Sequence, residues 1–346
     1  MLRALLSDDL PRSRWLAVAL VALLVGLAVA PFLFPGAKSL NVAAKICVFI
    51  VLAASFDLLL GYTGIVSFAH TMFFGIGAYG VAIALTRMGP GWDAVAVGVA
   101  GGLALAIALA VLIGLFSLRL RTIFFAMITL AVASAFLILA SQLSDITGGE
   151  DGLNYRLPMV LRPSFRPFEG VTGRVLDYYL VYFVSLALVL ILLRIVNSPF
   201  GSVLMAIREN PFRAEAIGYR TVVYRTLASC IAAATAALAG ALLALWSSQT
   251  NPDTTLSFDI MVDILLMVVI GGMGTMYGAA IGAVLLVFAQ NYLQDLLAIA
   301  NKALAGVPLL GNLFHPDRWL LWLGVAFILC VYFFPTGIVG RLRQRR

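Results

Sequence analysis

Charge is what this chain has least of. Only 11% of its 346 residues are Asp, Glu, Lys or Arg, where a soluble domain carries about a quarter. Hydrophobic residues make up 62%, and mean hydropathy is +1.04. One globule cannot hide that much apolar surface, so lipid must be the solvent. Histidine is nearly missing: His70 and His315 lie far apart, which argues against a metal site. The three cysteines, Cys47, Cys230 and Cys330, each sit inside an apolar run. An odd, widely spaced set gives neither a disulfide framework nor metal spacing, so they read as packing residues. No G-x-x-x-x-G-K-[ST] loop occurs, so the chain has no legible nucleotide site of its own. No Ser/His/Asp or Cys/His constellation falls within one segment. The net charge of +7 reads as orientation charge on loops rather than as a nucleic-acid footprint.

What the chain has is long apolar runs. They predict an all-α polytopic bundle forming one transmembrane domain over residues 1–346. Spans are placed at about 15–34, 41–60, 67–87, 93–117, 122–141, 176–196, 223–247 and 317–335. The basic start and the Ala28-Val29-Ala30 stretch resemble a signal peptide, but about 20 apolar residues is span length and many spans follow. The run 258–292 is too long for one span and is read as two short spans meeting at Gly271-Gly272-Met273-Gly274. That gives about ten crossings. With the N-terminus inside, Arg3, Arg12, Arg14, Arg119, Arg121, Arg341, Arg343, Arg345, Arg346 and the arginines of 194–225 all fall on the inner side. The outer loop 142–175 holds Arg156, Arg162, Arg166 and Arg174, balanced by Asp145, Glu150, Asp151 and Glu169. This asymmetry follows the positive-inside rule and places both termini in the cytoplasm.

The inner interval 197–225, with its loop at 197–222, organises the rest. Arg208, Arg213, Arg220 and Arg225 gather there, with Arg194 just upstream, in an otherwise apolar chain. Ser198-Pro199 and Asn210-Pro211 each read as an N-cap followed by proline at the first helical position. Gly218 reads as a C-terminal stop. Two short helices follow, about 199–209 and 211–217. The second is roughly 10 Å long, marginal in isolation, and carries Phe212, Ala216 and Ile217 as a small apolar face. Such a face suits either a partner's groove or a lipid headgroup surface.

Three glycine-rich interruptions lie among the apolar runs. The first, Gly61-Tyr62-Thr63-Gly64-Ile65-Val66-Ser67-Phe68-Ala69-His70, breaks a helix between two runs. Broken backbone at membrane depth is tolerated where protein or a water-filled cavity covers it, and its freed groups can bind a zwitterionic solute. A plain turn between spans is the other reading. Asp57, near the end of an apolar run, is a carboxylate costly to bury; an interfacial position is equally open. The second is Thr147-Gly148-Gly149-Glu150-Asp151-Gly152-Leu153, whose glycine spacing predicts a defined turn. The third is Gly271-Gly272-Met273-Gly274, continued by the small-residue stripe Gly274, Gly278, Gly282. Asp263 precedes it as a candidate cavity-lining carboxylate, with Asp259 read as interfacial. Gly75-Ile76-Gly77-Ala78-Tyr79-Gly80 fits a dinucleotide fingerprint by letter, but it lies inside a span, where close helix packing explains it better.

Arg208-Glu209-Asn210 followed by Ala214-Glu215-Ala216-Ile217-Gly218 resembles the cytoplasmic coupling loop of ABC-importer permeases, above all the branched-chain amino acid permease family. The first and third glycine segments, with Phe73-Phe74-Gly75-Ile76-Gly77-Ala78-Tyr79, match the same family in the same order, over about residues 40–290. Asparagine is more usual there at the position of Asp57. The resemblance implies a membrane permease working with a second, similar but non-identical permease and two cytoplasmic ATP-binding subunits that hold the ATP and Mg. A periplasmic solute-binding protein and a bacterial inner membrane complete the setting. It implies ATPase coupling through Arg208, Glu209, Asn210, Phe212, Ala214, Glu215, Ala216 and Gly218. A translocation role would fall to Asp57, Gly61, Tyr62, Thr63, Gly64, Ser67, His70, Asp263, Gly271, Gly272 and Gly274, and binding-protein contact to Glu150 and Asp151. Substrates across the family include leucine-like amino acids, urea, short amides and small acids. A secondary transporter or channel without an ATPase is the alternative; it would need intramembrane charges for ion coupling, and Asp57 and Asp263 are the main ones on offer. A membrane-embedded enzyme would need a legible nucleophile or metal cluster.

Overall fold

A computed structural model describes residues 14–33, 36–117, 122–166, 172–303, 315–334 and 336–344. Arg3, Arg12, Arg119, Arg121, Glu169, Arg345 and Arg346, used above to orient the chain, lie outside the described residues. The described chain is helical apart from one two-stranded ribbon. Ten helical stretches are long and apolar enough to cross a membrane, matching the number of apolar runs. They fall on α1 (Arg14–Leu33), α2 (Ala37–Asp57), α3 (His70–Met88), α4 (Trp92–Ser117), α5 (Thr122–Gln142) and α6 (Gly173–Val196), then, after a short pair, on α9 (Thr221–Ser247), on α10 (Phe258–Gly271), which with the turn before it makes up Pro252–Gly271, on α11 (Met276–Ala303), and on α12 (Trp319–Phe333), which lies inside the stretch Pro316–Gly340. The short pair is α7 (Pro199–Glu209) and α8 (Pro211–Ala216); α13 (Gly337–Gln344) follows α12.

The centre is α2, α3 and α9. Alanine and glycine dominate their contacts because, without a hydrophobic drive between helices in lipid, close backbone approach supplies the attraction. A Cβ at Gly77 would collide with the Ala237 carbonyl, and one at Gly240 with the Phe74 carbonyl. Gly80 packs on Gly98 of α4. The Gly75–Gly80 letters are therefore a helix-packing surface. Around this centre α1 and α12 bury few of their apolar residues within the single chain.

Pro31 inside α1 has no N–H to give the Leu27 carbonyl, one turn back. Tyr178 supplies the missing donor, its hydroxyl 2.6 Å from the Leu27 oxygen. Tyr179 and Tyr182 bond the Ala28 and Leu24 carbonyls at 2.9 and 3.1 Å. A freed carbonyl at membrane depth needs such a partner, so α6 holds α1 through polar ties as well as packing.

The broken run after Phe258 differs from its sequence reading. Its first half, α10, has 14 residues, but α11 has 28, about 42 Å, so the second half is not a short span. No glycine or proline stands between Gly282 and Gly306 to stop it. Gly274 is also not on the helical stripe: it has φ +78° and lies in the break. Gly278 and Gly282 alone carry the close contact, meeting the backbone of Gly271 and Met267.

Two loop clusters form at opposite ends. At one, β1 (Leu153–Asn154) pairs antiparallel with β2 (Gln249–Thr250), Leu153 opposite Thr250 and Asn154 opposite Gln249. The preceding turn uses φ of +77°, +68° and +72° at Gly148, Gly149 and Gly152, so the glycine spacing does mark a defined turn. Tyr155 closes this end, its hydroxyl bonding the Ala244 carbonyl at 2.8 Å and Thr250 Oγ1 at 2.9 Å. Burial pushes the Tyr155 phenol up to about 12, which keeps it a donor across physiological pH. At the other end sit α7, α8, the turn after α2 and the α10–α11 break.

Candidate functional site: a joint between two broken helices and a short exposed helix

α2 does not end cleanly. It runs on through a π turn, Leu58–Thr63, capped by Gly64 in the left-handed region at φ +71°. The Leu59 carbonyl takes the Gly64 N–H, the Ile65 N–H at 3.0 Å and the Thr63 hydroxyl. Single π turns of this kind recur at functional positions. The widened turn leaves the Gly61 carbonyl facing out of the helix, where Arg208, in the last turn of α7, donates Nη1 to it.

Asp57 is fully buried, one residue before the π turn. Its Oδ1 accepts the Gly274 N–H at 2.8 Å, fastening the α10–α11 break to the end of α2. Its Oδ2 has no partner among the described residues. Gly61 and Gly274 touch backbone to backbone: a Cβ on Gly61 would collide with Gly274 N and with Asp57 Oδ1. A Cβ on Gly274 would lie 3.1 Å from Arg208 Nη1. Asp57, Gly61, Arg208 and Gly274 thus form one joint, although they come from three separate stretches of sequence.

α7 buries Gly201, Leu204 and Ile207 against the bundle. Gly201 lets it fold back on the Val196 carbonyl. Ser198 stands at the N-cap, but its hydroxyl bonds the Ile195 carbonyl at 2.6 Å and caps nothing, because the chain is still leaving α6 there. Asn210 does cap α8, accepting the Arg213 N–H at 3.0 Å. α8 ends at Ala216, with Gly218 just beyond at φ +103°. Only Ala214 of α8 is buried. Phe212 is 82% exposed and Ile217 71%, an unusual state for large apolar side chains on so short an element.

Residues 39–313 match the family described as "Branched-chain amino acid transport system / permease component". The chain belongs to this family. It is 28% identical over 324 residues to the high-affinity branched-chain amino acid transport system permease protein LivM of Salmonella typhimurium, covering 87% of this chain and 74% of the relative. A probable branched-chain amino acid transport permease protein LivM of Methanocaldococcus jannaschii is 27% identical, over 84% and 89%. The permease protein LivH of Escherichia coli is 26% identical, over 84% and 91%. No solved structure matches the chain.

Other sequence candidates of the permease fall elsewhere. Tyr62, Thr63 and Ser67 are buried around the π turn. His70 is fully buried at the start of α3 and bonds Ser55 of α2, Nε2 to Oγ 2.7 Å. Ser55 Oγ already donates to the Leu52 carbonyl, so His70 is the donor. That bond staples α3 to α2 next to the joint. Gly271 packs on Gly278, and Gly272, at φ +119°, lies against α13. Glu209 is exposed. Glu215 accepts from the Thr221 hydroxyl at the start of α9, so it braces α8 from within. Asp263 is not part of the joint; it lies toward the ribbon end, with Gln290 Nε2 on its Oδ1 at 2.8 Å. Glu150 and Asp151 are exposed beside the ribbon.

Sequence reasoning missed Asp177, a second fully buried carboxylate, in the first turns of α6. Arg174 lies 3.9 Å from it, stacks 3.5 Å from the centre of the Trp246 ring, and donates to the Trp246 carbonyl and to Asn41. An arginine and an aspartate three apart at the mouth of an apolar run was the available signal.

Proposed function

We propose that this permease is the membrane subunit of an ABC importer, carrying branched-chain amino acids or a related small polar solute, such as urea or a short amide, into the cytoplasm. The reading rests on one observation: α8 turns Phe212 and Ile217 outward while Arg208, one turn before it, grips the backbone of a broken helix. A helix this short needs a partner to persist, and its exposed pair fits a hydrophobic groove. Two ATP-binding subunits, holding ATP and Mg, would take that face. Their closure would shift α7 and α8, and Arg208 would pass the shift to Gly61, Asp57 and Gly274. A second, non-identical permease suits the exposed faces of α1 and α12, and relatives named LivM and LivH are both similar to this chain. The ribbon end, with Glu150 and Asp151, would meet a periplasmic solute-binding protein. Both termini would be cytoplasmic in a bacterial inner membrane.

The test is the double substitution Phe212→Asp and Ile217→Asp in the co-expressed system. Loss of two buried anchors costs roughly 2 kcal/mol or more at an interface. ATPase subunits should therefore co-purify at least tenfold less well, and leucine uptake should fall with them. Undiminished co-purification and uptake would refute the docking. Uptake that survives ATP depletion but collapses with the ion gradient would instead establish a secondary transporter.

A further inference from the structure

A cavity of about 350 Å³ opens beside the ribbon, away from the joint. Small-molecule sites begin near that size, at about 300 Å³. Its walls come from α2, α9, α10, α11 and the turn Pro252–Thr255. Two other cavities are larger: about 460 Å³ between α3, α4 and α5, and about 610 Å³ between α1, α2 and α11. Both have almost wholly apolar walls and suit lipid tails or packing partners. The cavity beside the ribbon differs in kind.

Lys45 lines it, about two turns inside α2. Among the described residues Lys45 makes no hydrogen bond or ion pair. Asp253 and Asp263 line the same cavity, and neither has a cation partner among the described residues. Asp263 lies more than a turn inside α10 and is held from one side by Gln290. Phe49, Leu243 and Val287 complete an apolar wall. Asp263 is half-buried inside its span, where an ionisable group marks a solute or ion site, while Lys45 and Asp253 are exposed. One cation, two carboxylates and an apolar wall around one cavity are complementary to a small molecule with the reverse arrangement.

We infer that this cavity is a solute-binding station of the permease itself, for a zwitterionic α-amino acid with an aliphatic side chain. Lys45 takes the carboxylate, Asp263 and Asp253 take the ammonium group through charge-assisted hydrogen bonds, and Phe49, Leu243 and Val287 cover the side chain. The inference rests on the importer reading and narrows its substrate, since a neutral solute such as urea has no use for paired opposite charges.

The test is equilibrium binding of radiolabelled leucine to the complex purified with its co-expressed partners in lipid nanodiscs. Lys45→Gln and Asp263→Asn should each weaken leucine at least tenfold, with Lys45→Arg staying within a few-fold of the parent. Leucinamide, which lacks the carboxylate, should bind Lys45→Gln as well as it binds the parent. 4-Methylpentanoate, the leucine skeleton without the amine, should be equally indifferent to Asp263→Asn. Urea should not compete. Unchanged leucine binding in both variants, or urea competing as well as leucine, would overturn the inference. A parent complex that retains its ATPases yet binds no leucine would also overturn it, leaving the importer reading standing. Leucine binding that depends on Lys45 and Asp263 in a chain that recruits no ATPase would uphold the site and sink the importer reading.

Discussion

The two ends of the bundle use polar groups differently. At the α7–α8 end, hydrogen bonds reach across the sequence to interrupted backbone: Arg208 to Gly61, and Asp57 to Gly274. Few contacts hold α8 itself, and its largest side chains face outward. At the ribbon end, polar groups close on neighbours that are already regular. Tyr155 ties the ribbon to the last turn of α9, and Arg174 spreads over Trp246 and Asn41. On the proposed reading, one end would be moved by a partner outside the chain, and the other would keep its shape around a polar cavity.

The contrast can be broken most strongly at Gly61. Gly61→Val places a side chain where Gly274 backbone and Asp57 already sit. Leucine uptake should fall to background, while Gly101→Val, at a position with open space, should keep most of it. Equal loss in both would mean that the joint has no special standing. Arg208→Ala comes next: it removes a charged donor from a carbonyl, worth about 1.5–3 kcal/mol. Uptake should drop about tenfold or more with chain accumulation little changed, as measured by transport assay and immunoblot. Asp57→Ala frees the Gly274 N–H at a cost of about 1–3 kcal/mol, and Asp57→Asn, which keeps an acceptor, should recover most of the loss in a detergent melting assay. The smallest effect belongs to the other end. Tyr155→Phe deletes a neutral hydroxyl and should cost roughly 1 kcal/mol of stability, leaving ATPase recruitment unchanged.

How much of this was legible depended on whether the cause was local. Apolar runs gave the ten spans because span length is fixed by the bilayer. Pro199, Asn210-Pro211 and Gly218 gave the ends of α7 and α8 to within a residue, since caps act within one turn. Ser198 misled, because its hydroxyl had a nearer carbonyl at Ile195. The length of α11 was hidden because polar residues from Gln290 onward mark the end of an apolar run without stopping a helix. The joint itself was not readable. Asp57 and Gly274 were each singled out for local reasons, but nothing in either segment says that they meet across 217 positions. Asp177 escaped because it stood at the edge of its run, where Arg174 made it look like ordinary loop charge.

The element bearing Phe212 and Ile217 is expected to face the cytoplasm, opposite the ribbon. Its sidedness is tested by labelling single introduced cysteines with a membrane-impermeant maleimide, measured above the parent chain's own labelling. Ile217→Cys should label in inside-out vesicles and be protected when the ATPase subunits are bound, while Asp151→Cys should label only in right-side-out cells. Labelling of Ile217→Cys from outside, or of both positions from the same side, would contradict the account.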